Sequence, residues 1–323
     1  MFKMRCRSSR HLLGTYRDGS AGLRINVPNV RAWSSATASS FDMASRKITI
    51  RKARKRMSKI YVPSGKAREY SPLALNIYDG CPHDCEYCYV KHSLNRYTPT
   101  PRPLKTEWPR SLTGKNYQRK QVMLSFLCDP YPLFPSNNHE HARQAIKSLY
   151  DHCYPVAILS KGGTAAVKHF DLFKKFKSEL KLGQTIIFRD ESQAKTYEPN
   201  AASIEDRKTV LSMANGEGIK TWVSIEPIYK HWDTLNLIDE LSPFVDQFYL
   251  GKLNHTKFID LEYSEDAWRD FIWEAVRRLK ANGKKYYFKQ SVQQYLPADE
   301  VCYDNADHLA VKARKIPDED GAL

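Results

Sequence analysis

From residue 73 onward, short apolar runs alternate with longer amphipathic segments, and this rhythm leaves the chain few architectures to choose from. The runs at 73–79, 121–127, 155–160, 184–188, 220–228, 247–253 and 285–289 have the length and composition of strands. Segments 139–152, 165–178, 203–216, 234–241 and 264–281 carry apolar residues at helical spacing. Ser203 and Ser264 stand where N-caps belong, each followed by two acids in the first turn, and Gly218 and Gly283 stand where those helices should stop. Six or seven βα units in series predict an α/β fold: a parallel sheet with helices outside it. Right-handed crossovers curl such a series into a barrel or partial barrel. An open doubly wound sheet has the same periodicity, and pattern alone does not separate the two.

The net charge of +15 is concentrated at one end. Residues 1–60 hold 15 Lys or Arg against two acids, Asp18 and Asp42, while the remaining chain holds 36 basic and 34 acidic side chains. The basic character therefore belongs to an N-terminal extension, residues 1–58, which reads as disordered. Its densest cluster is Arg51-Lys-Ala-Arg-Lys-Arg56. Such an arm suits nucleic acid or is simply solvated. Its Arg, Ser and Ala also suit an organellar transit peptide, and Met43 or Met57 could serve as the true start. No apolar stretch is long enough to span a membrane, and no secretory signal follows the first basic residues, so a cytoplasmic location is expected, with organellar import left open. Residues 59–290 carry the βα series, and 291–323 read as a C-terminal extension.

Of seven cysteines, three fall in Gly80-Cys-Pro-His-Asp-Cys-Glu-Tyr-Cys-Tyr89, directly after the first strand. In α/β folds with parallel sheets, ligands sit at the carboxyl ends of strands. Three thiolates on one loop can hold three irons of a cubane and leave the fourth open. A structural zinc site usually takes four ligands in two pairs, and here His83 is the only nearby fourth. A redox CxxC from Cys85 to Cys88 would leave Cys81 unexplained. A disulfide framework does not fit so uneven a set.

The CxxxCxxC run, with Tyr87 before its last cysteine, resembles the radical S-adenosylmethionine superfamily. Further pieces are similar to its spore photoproduct lyase-like family: Glu69 through Cys81, Asp129-Pro-Tyr131 after the second strand, Ser160-Lys161 after the third, Tyr197-Glu-Pro199 with Arg207, and Pro227-Ile228. The resemblance implies a partial TIM barrel of roughly six parallel βα units, a [4Fe–4S] cluster and S-adenosylmethionine as cofactors, and reductive cleavage of the latter to start radical chemistry, a DNA photolesion being one candidate target. It implies a reductant such as flavodoxin or ferredoxin and no membrane partner, and leaves nucleic acid open. The competing function is a zinc-binding nucleic-acid adaptor that uses the basic arm.

By position, the resemblance assigns Cys81, Cys85 and Cys88 as cluster ligands and Lys161 as the group near the cofactor carboxylate. Tyr87, Asp129, Arg189 and Glu226 are further cofactor-side candidates, and Glu226 could instead pair with Lys252 of the next strand. Tyr89 matches a radical-relay tyrosine. Cys128 matches, less well, a hydrogen-donor cysteine: it sits directly before the aspartate, where the lyase's cysteine lies further upstream. Phe188-Arg-Asp-Glu191 stands where the family has a small hydroxyl residue. Both departures put the lyase reaction in doubt and leave cofactor cleavage untouched.

Overall fold

The computed structural model describes residues 57–300, apart from 95–96, 107–119, 135–138, 254–262 and 299. The Arg51–Arg56 cluster and most of both extensions lie outside the described residues.

Seven strands form one parallel sheet: β1 Leu73–Leu75, β2 Val122–Leu124, β3 Val156–Ser160, β4 Leu180–Thr185, β5 Lys220–Ile225, β6 Gln247–Leu250 and β7 Lys285–Phe288. Their spatial order is their chain order, with every pairing parallel. A doubly wound sheet reverses direction at a switch point. This sheet never does, so it curls one way into a partial barrel. Helices α1 Tyr89–His92, α2 Glu140–Asp151, α3 Phe170–Lys175, α4 Glu191–Tyr197, α5 Ile204–Gly216, α6 His231–Leu241 and α7 Glu265–Ala281 complete the fold. None among the described residues is long and apolar enough to cross a membrane. Ser203 Oγ accepts from Asp206 N, and Ser264 Oγ from Ala267 N, so both caps form where the sequence places them.

The periodicity misplaces two stretches. β4 begins at Leu180, four residues before the expected 184, because Lys181, Gly183 and Gln184 break up its apolar pattern. The expected helix over 165–178 is a 3-10 segment, Gly163–His169, running into the short α3. Part of the expected C-terminal extension belongs to the barrel: Val292 is buried, and Tyr295 stacks on Trp268 of α7 at 5.9 Å.

Most apolar mass lies between sheet and helices. Tyr78, Tyr131, Ile146, Leu149, Phe173 and Leu182 fill one half, and Leu211, Ile225, Ile238, Phe248, Ile272 and Leu279 the other. Each such side chain contributes about 1.5–3 kcal/mol on burial. The barrel interior is different in kind: Ala74, Met123, Ala157, Trp222, Tyr249 and Tyr287 point inward, with Tyr70 and Phe126 packed against them. Gly183 pairs with Trp222, whose indole lies over the glycine and donates from Nε1 to the Ile158 carbonyl at 2.9 Å. A Cβ at 183 would lie 2.4 Å from that ring. Lys181 also points inward, with Nζ 5.1 Å from the Trp222 and Tyr249 rings and 3.0 Å from Gln247 Oε1.

β1 and β7 do not pair, which leaves a seam in the barrel. Side chains close it. Glu69 Oε1 accepts from Gln290 N at 2.7 Å and from the Tyr287 hydroxyl at 3.3 Å. Lys289, 2% exposed, sets its ammonium 3.6 Å from Glu69, 2.7 Å from Glu226 and 4.2 Å from the centre of the Tyr70 ring.

Candidate cluster and cofactor site

The three cysteines occupy the loop that leaves β1 and ends at α1, on the carboxyl side of the sheet. Gly80, at φ +92°, opens the loop where a Cβ would meet Thr98 Oγ1 at 2.4 Å and the Thr100 carbonyl at 2.5 Å, so only glycine fits. Asp84 takes the left-handed conformation at φ 56° and is held by Lys91, whose Nζ lies 2.5 Å from its carboxylate. The loop backbone is fastened from outside: Cys81 N donates to Thr98 O, Glu86 N to Tyr197 O, and Asn200 Nδ2 to Pro82 O. Cys85 is buried; Cys81 and Cys88 are half-buried.

The three thiols stand in different surroundings. A hydrogen bond from Cys128 is the main reason Cys81 falls to about 6; burial opposes it, and His83 adds to it. Burial pushes Cys85 upward, against the pull of Lys161. Among the described residues, no three His, Cys, Asp or Glu side chains converge as chelation of one ion requires. In a cubane each thiolate takes a different iron, so three thiols on one loop are a donor set that such a cluster could use.

Asp129 is a hub rather than an open ligand. Its Oδ1 accepts from Tyr131 N at 2.7 Å and Ser160 Oγ at 2.6 Å, and its Oδ2 from Lys161 N at 2.6 Å. His83 Nδ1 lies 3.4 Å from Oδ2, and His83 Nε2 accepts from Leu133 N. Both carboxylate oxygens are thus used in binding the β2 and β3 ends to the cysteine loop. Asp129, expected on the cofactor side, thus stands where the cysteine loop meets the β2 and β3 ends.

Lys161 extends from the end of β3 into a buried charged group. Glu198, with a fully buried side chain, accepts from the Tyr87 hydroxyl and lies 2.5 Å from Arg207 Nη1, while Lys161 Nζ stays 4.0 Å away. Arg207 also donates to the Ala202 and Thr185 carbonyls. Burial works against the Lys161 charge, but Cys85 and Glu198 outweigh it and hold the ammonium charged. Two cations therefore share one carboxylate, and Lys161, the more loosely held, is free to take an anionic group beside the cysteine loop. Tyr87 packs its ring 5.3 Å below that ammonium. The Glu198–Arg207 pair carries no assignment in the sequence reading beyond its motif; an acid and an arginine nine residues apart across a helix start are its only signal.

Other expectations meet different partners. Glu226 does not pair with Lys252: its Oε2 takes Lys289 and the Tyr70 hydroxyl, and its Oε1 has no hydrogen-bond partner among the described residues. Lys252 turns outward, 4.6 Å from the Trp268 ring. Arg189 also points away from the site, bound to Glu240 of α6 at 2.7 Å and partly exposed, because Asp190 turns the chain there to cap α4. Tyr89, 40% exposed, donates to the Phe126 carbonyl. Cys128, 6% exposed, lies against Cys81 in the layer between sheet and helices.

No family model matches the chain. An uncharacterized protein of Acidianus two-tailed virus is 26% identical over 239 residues, spanning 63% of this chain and 73% of that protein. An uncharacterized protein of Methanocaldococcus jannaschii is 28% identical over 209 residues, spanning 63% and 76%. Among solved structures, a spore photoproduct lyase mutant with dinucleoside spore photoproduct superimposes with a TM-score of 0.57, over 72% of this chain and 81% of that one, at 15% identity. This chain has the fold of spore photoproduct lyase. Streptococcus suis SuiB bound to S-adenosylmethionine gives a TM-score of 0.52 at 11% identity, over 70% of this chain and 52% of SuiB. The partial barrel that the resemblance implies is thus borne out in the architecture.

Proposed function

We propose that this chain is a radical S-adenosylmethionine enzyme in which Cys81, Cys85 and Cys88 hold a [4Fe–4S] cluster. The observation that carries the reading is one arrangement: three thiols on a fastened loop at the carboxyl end of a partial parallel barrel, beside the loosely held Lys161. SuiB, which shares this barrel, has been solved bound to S-adenosylmethionine. When bound, the cluster supplies the electron that splits a sulfur–carbon bond of S-adenosylmethionine and yields a carbon radical. The chain's own residues bind and shield. Lys161 offers its charge to the cofactor carboxylate, with Tyr87 and Glu198 fixing where that charge stands. Glu226 Oε1, buried and without a donor, is available to an N–H or O–H group of a ligand inside the barrel. The aromatic lining of Trp222, Tyr249 and Tyr70 keeps water from that interior. A one-electron donor of the flavodoxin or ferredoxin kind supplies the reductant.

The test is anaerobic reconstitution with iron and sulfide, followed by dithionite and S-adenosylmethionine, with and without ultraviolet-damaged DNA. About four irons per chain and release of 5′-deoxyadenosine are expected, and both should be lost on replacing any of the three cysteines with Ala. Stoichiometric zinc with no visible absorbance would instead support the adaptor reading and end this one.

A further inference from the structure

At the carboxyl ends of β5 and β7 the inner face of the barrel carries charges that do not balance. Trp222 points inward, and Ser224 and Glu226, two and four residues on, share its face: Ser224 Oγ lies 2.9 Å from the Tyr70 hydroxyl, which donates to Glu226 Oε2. Lys289 stands two residues past the inward-facing Tyr287 and sets one ammonium between two carboxylates, 2.7 Å from Glu226 and 3.6 Å from Glu69. Other cations of this region are engaged elsewhere. Lys181 binds Gln247 and Tyr249 at the amino end of the interior, and Lys230 and Lys252 lie against the Tyr229 and Trp268 rings. Glu69 Oε2 and Glu226 Oε1 are buried with no hydrogen-bond partner among the described residues, and the Glu69 side chain is only 7% exposed. A Cβ at Gly251 would stand 3.1 Å from Glu226 Oε1, so the glycine keeps the space beside that oxygen free of a side chain.

We propose that Glu226, with Glu69 on the far side of Lys289, forms a subsite for a cationic N–H donor of the substrate, an ammonium or guanidinium group that hydrogen-bonds to Glu226 Oε1. The proposal rests on the radical-enzyme reading above only in calling the bound group a substrate's. A buried carboxylate oxygen without a donor is costly, and so is a buried charge without a partner. Two carboxylates against one ammonium leave one formal negative charge as well as the two orphaned oxygens. A neutral N–H would answer the hydrogen-bonding demand alone; a cationic one answers both, through a charge-assisted bond about twice as strong as a neutral one. The Glu226 side chain keeps 13% exposure, so it stands at a boundary with solvent and not in the sealed core. It follows β5 at the carboxyl end of the sheet, the end that carries the cysteine loop.

The experiment titrates the full-length protein with propylammonium and propylguanidinium, and with propionamide and thymidine as uncharged N–H donors, followed by saturation-transfer nuclear magnetic resonance. The two cations should bind and the two neutral probes should bind about ten-fold more weakly or not at all. Glu226→Gln, which removes the charge, and Gly251→Ala, which sets a methyl group beside Oε1, should each weaken cation binding about ten-fold or more. No binding of either cation, neutral probes that bind as well as the cations, or cation binding unchanged in the variants overturns the proposal. If Glu226→Gln does not fold, Gly251→Ala decides alone. The titration is repeated on reconstituted protein saturated with S-adenosylmethionine: the cations should still bind, and their displacement would give Glu226 to the cofactor and overturn the substrate assignment. Absence of iron after reconstitution would overturn the cluster reading itself, an outcome separate from the cation titration, which needs no iron.

Discussion

Replacing Arg207 with Met should remove a large part of the stability of the barrel. Arg207 is 1% exposed and satisfies three acceptors: the carbonyls of Ala202 at 2.8 Å and Thr185 at 3.0 Å, and Glu198 at 2.5 Å. The methionine fills similar volume but leaves a fully buried carboxylate with only Tyr87 and a lysine 4.0 Å away. Breaking a buried pair by removing one partner destabilises by about 3–5 kcal/mol. Domains have only about 5–15 kcal/mol in total, so the folded-to-unfolded ratio should fall by two orders of magnitude or more. The assay is urea unfolding of the metal-free protein at neutral pH, followed by circular dichroism. Adding Glu198→Gln to Arg207→Met should recover at least about 1 kcal/mol, because the amide no longer demands a counter-charge. An Arg207→Met loss below about 1 kcal/mol, or a double variant equal to the sum of the singles, would refute the reasoning.

Gly183→Ala should cost about 1–3 kcal/mol and lower Tm by several degrees, since the new Cβ meets the Trp222 ring at 2.4 Å and the ring is tethered to Ile158; calorimetry with no change in Tm would show that the indole shifts freely. A pH effect follows from His169 and His231, each lowered to about 4, first by burial, and then by Arg143 for His169 and by Lys252 for His231. The unfolded chain takes up protons near 6.5 that the folded chain refuses, so stability should decline as pH falls from about 6.5 towards 4. Urea midpoints that stay flat across that window would contradict it.

The succession of strands and helices and the caps of α5 and α7 were legible because they depend on local signals, an alternating hydrophobic rhythm and a serine three residues ahead of a free amide; the order of the strands in the sheet followed only from the resemblance. β4 was displaced because a lysine inside a barrel looks, in sequence, like a lysine in water; only Gln247 and the Trp222 and Tyr249 rings, far along the chain, make Lys181 an interior residue. The cysteine loop was legible for the opposite reason, that its chemistry is packed into a few adjacent positions. Arg189, Glu226 and Asp129 were harder. Each lies near the carboxyl end of a strand, as expected, but what a polar group does there depends on which neighbour arrives from another βα unit. Lys289 reaches Glu226 because the curl of the sheet brings β7 round to it, and no local pattern encodes that meeting.

The seam has a consequence for the order of events in synthesis. The cysteines belong to the first βα unit and leave the ribosome early, while Gln290, Tyr287 and Lys289, which bind Glu69, are made some two hundred residues later. Until they arrive, the first strand has no seventh strand's side chains to lean against, and the wall beside the cysteine loop stands open to solvent. Contacts of such long sequence separation form late, because the chain between them must be ordered first. A nascent chain therefore displays these three cysteines well before it can shelter them.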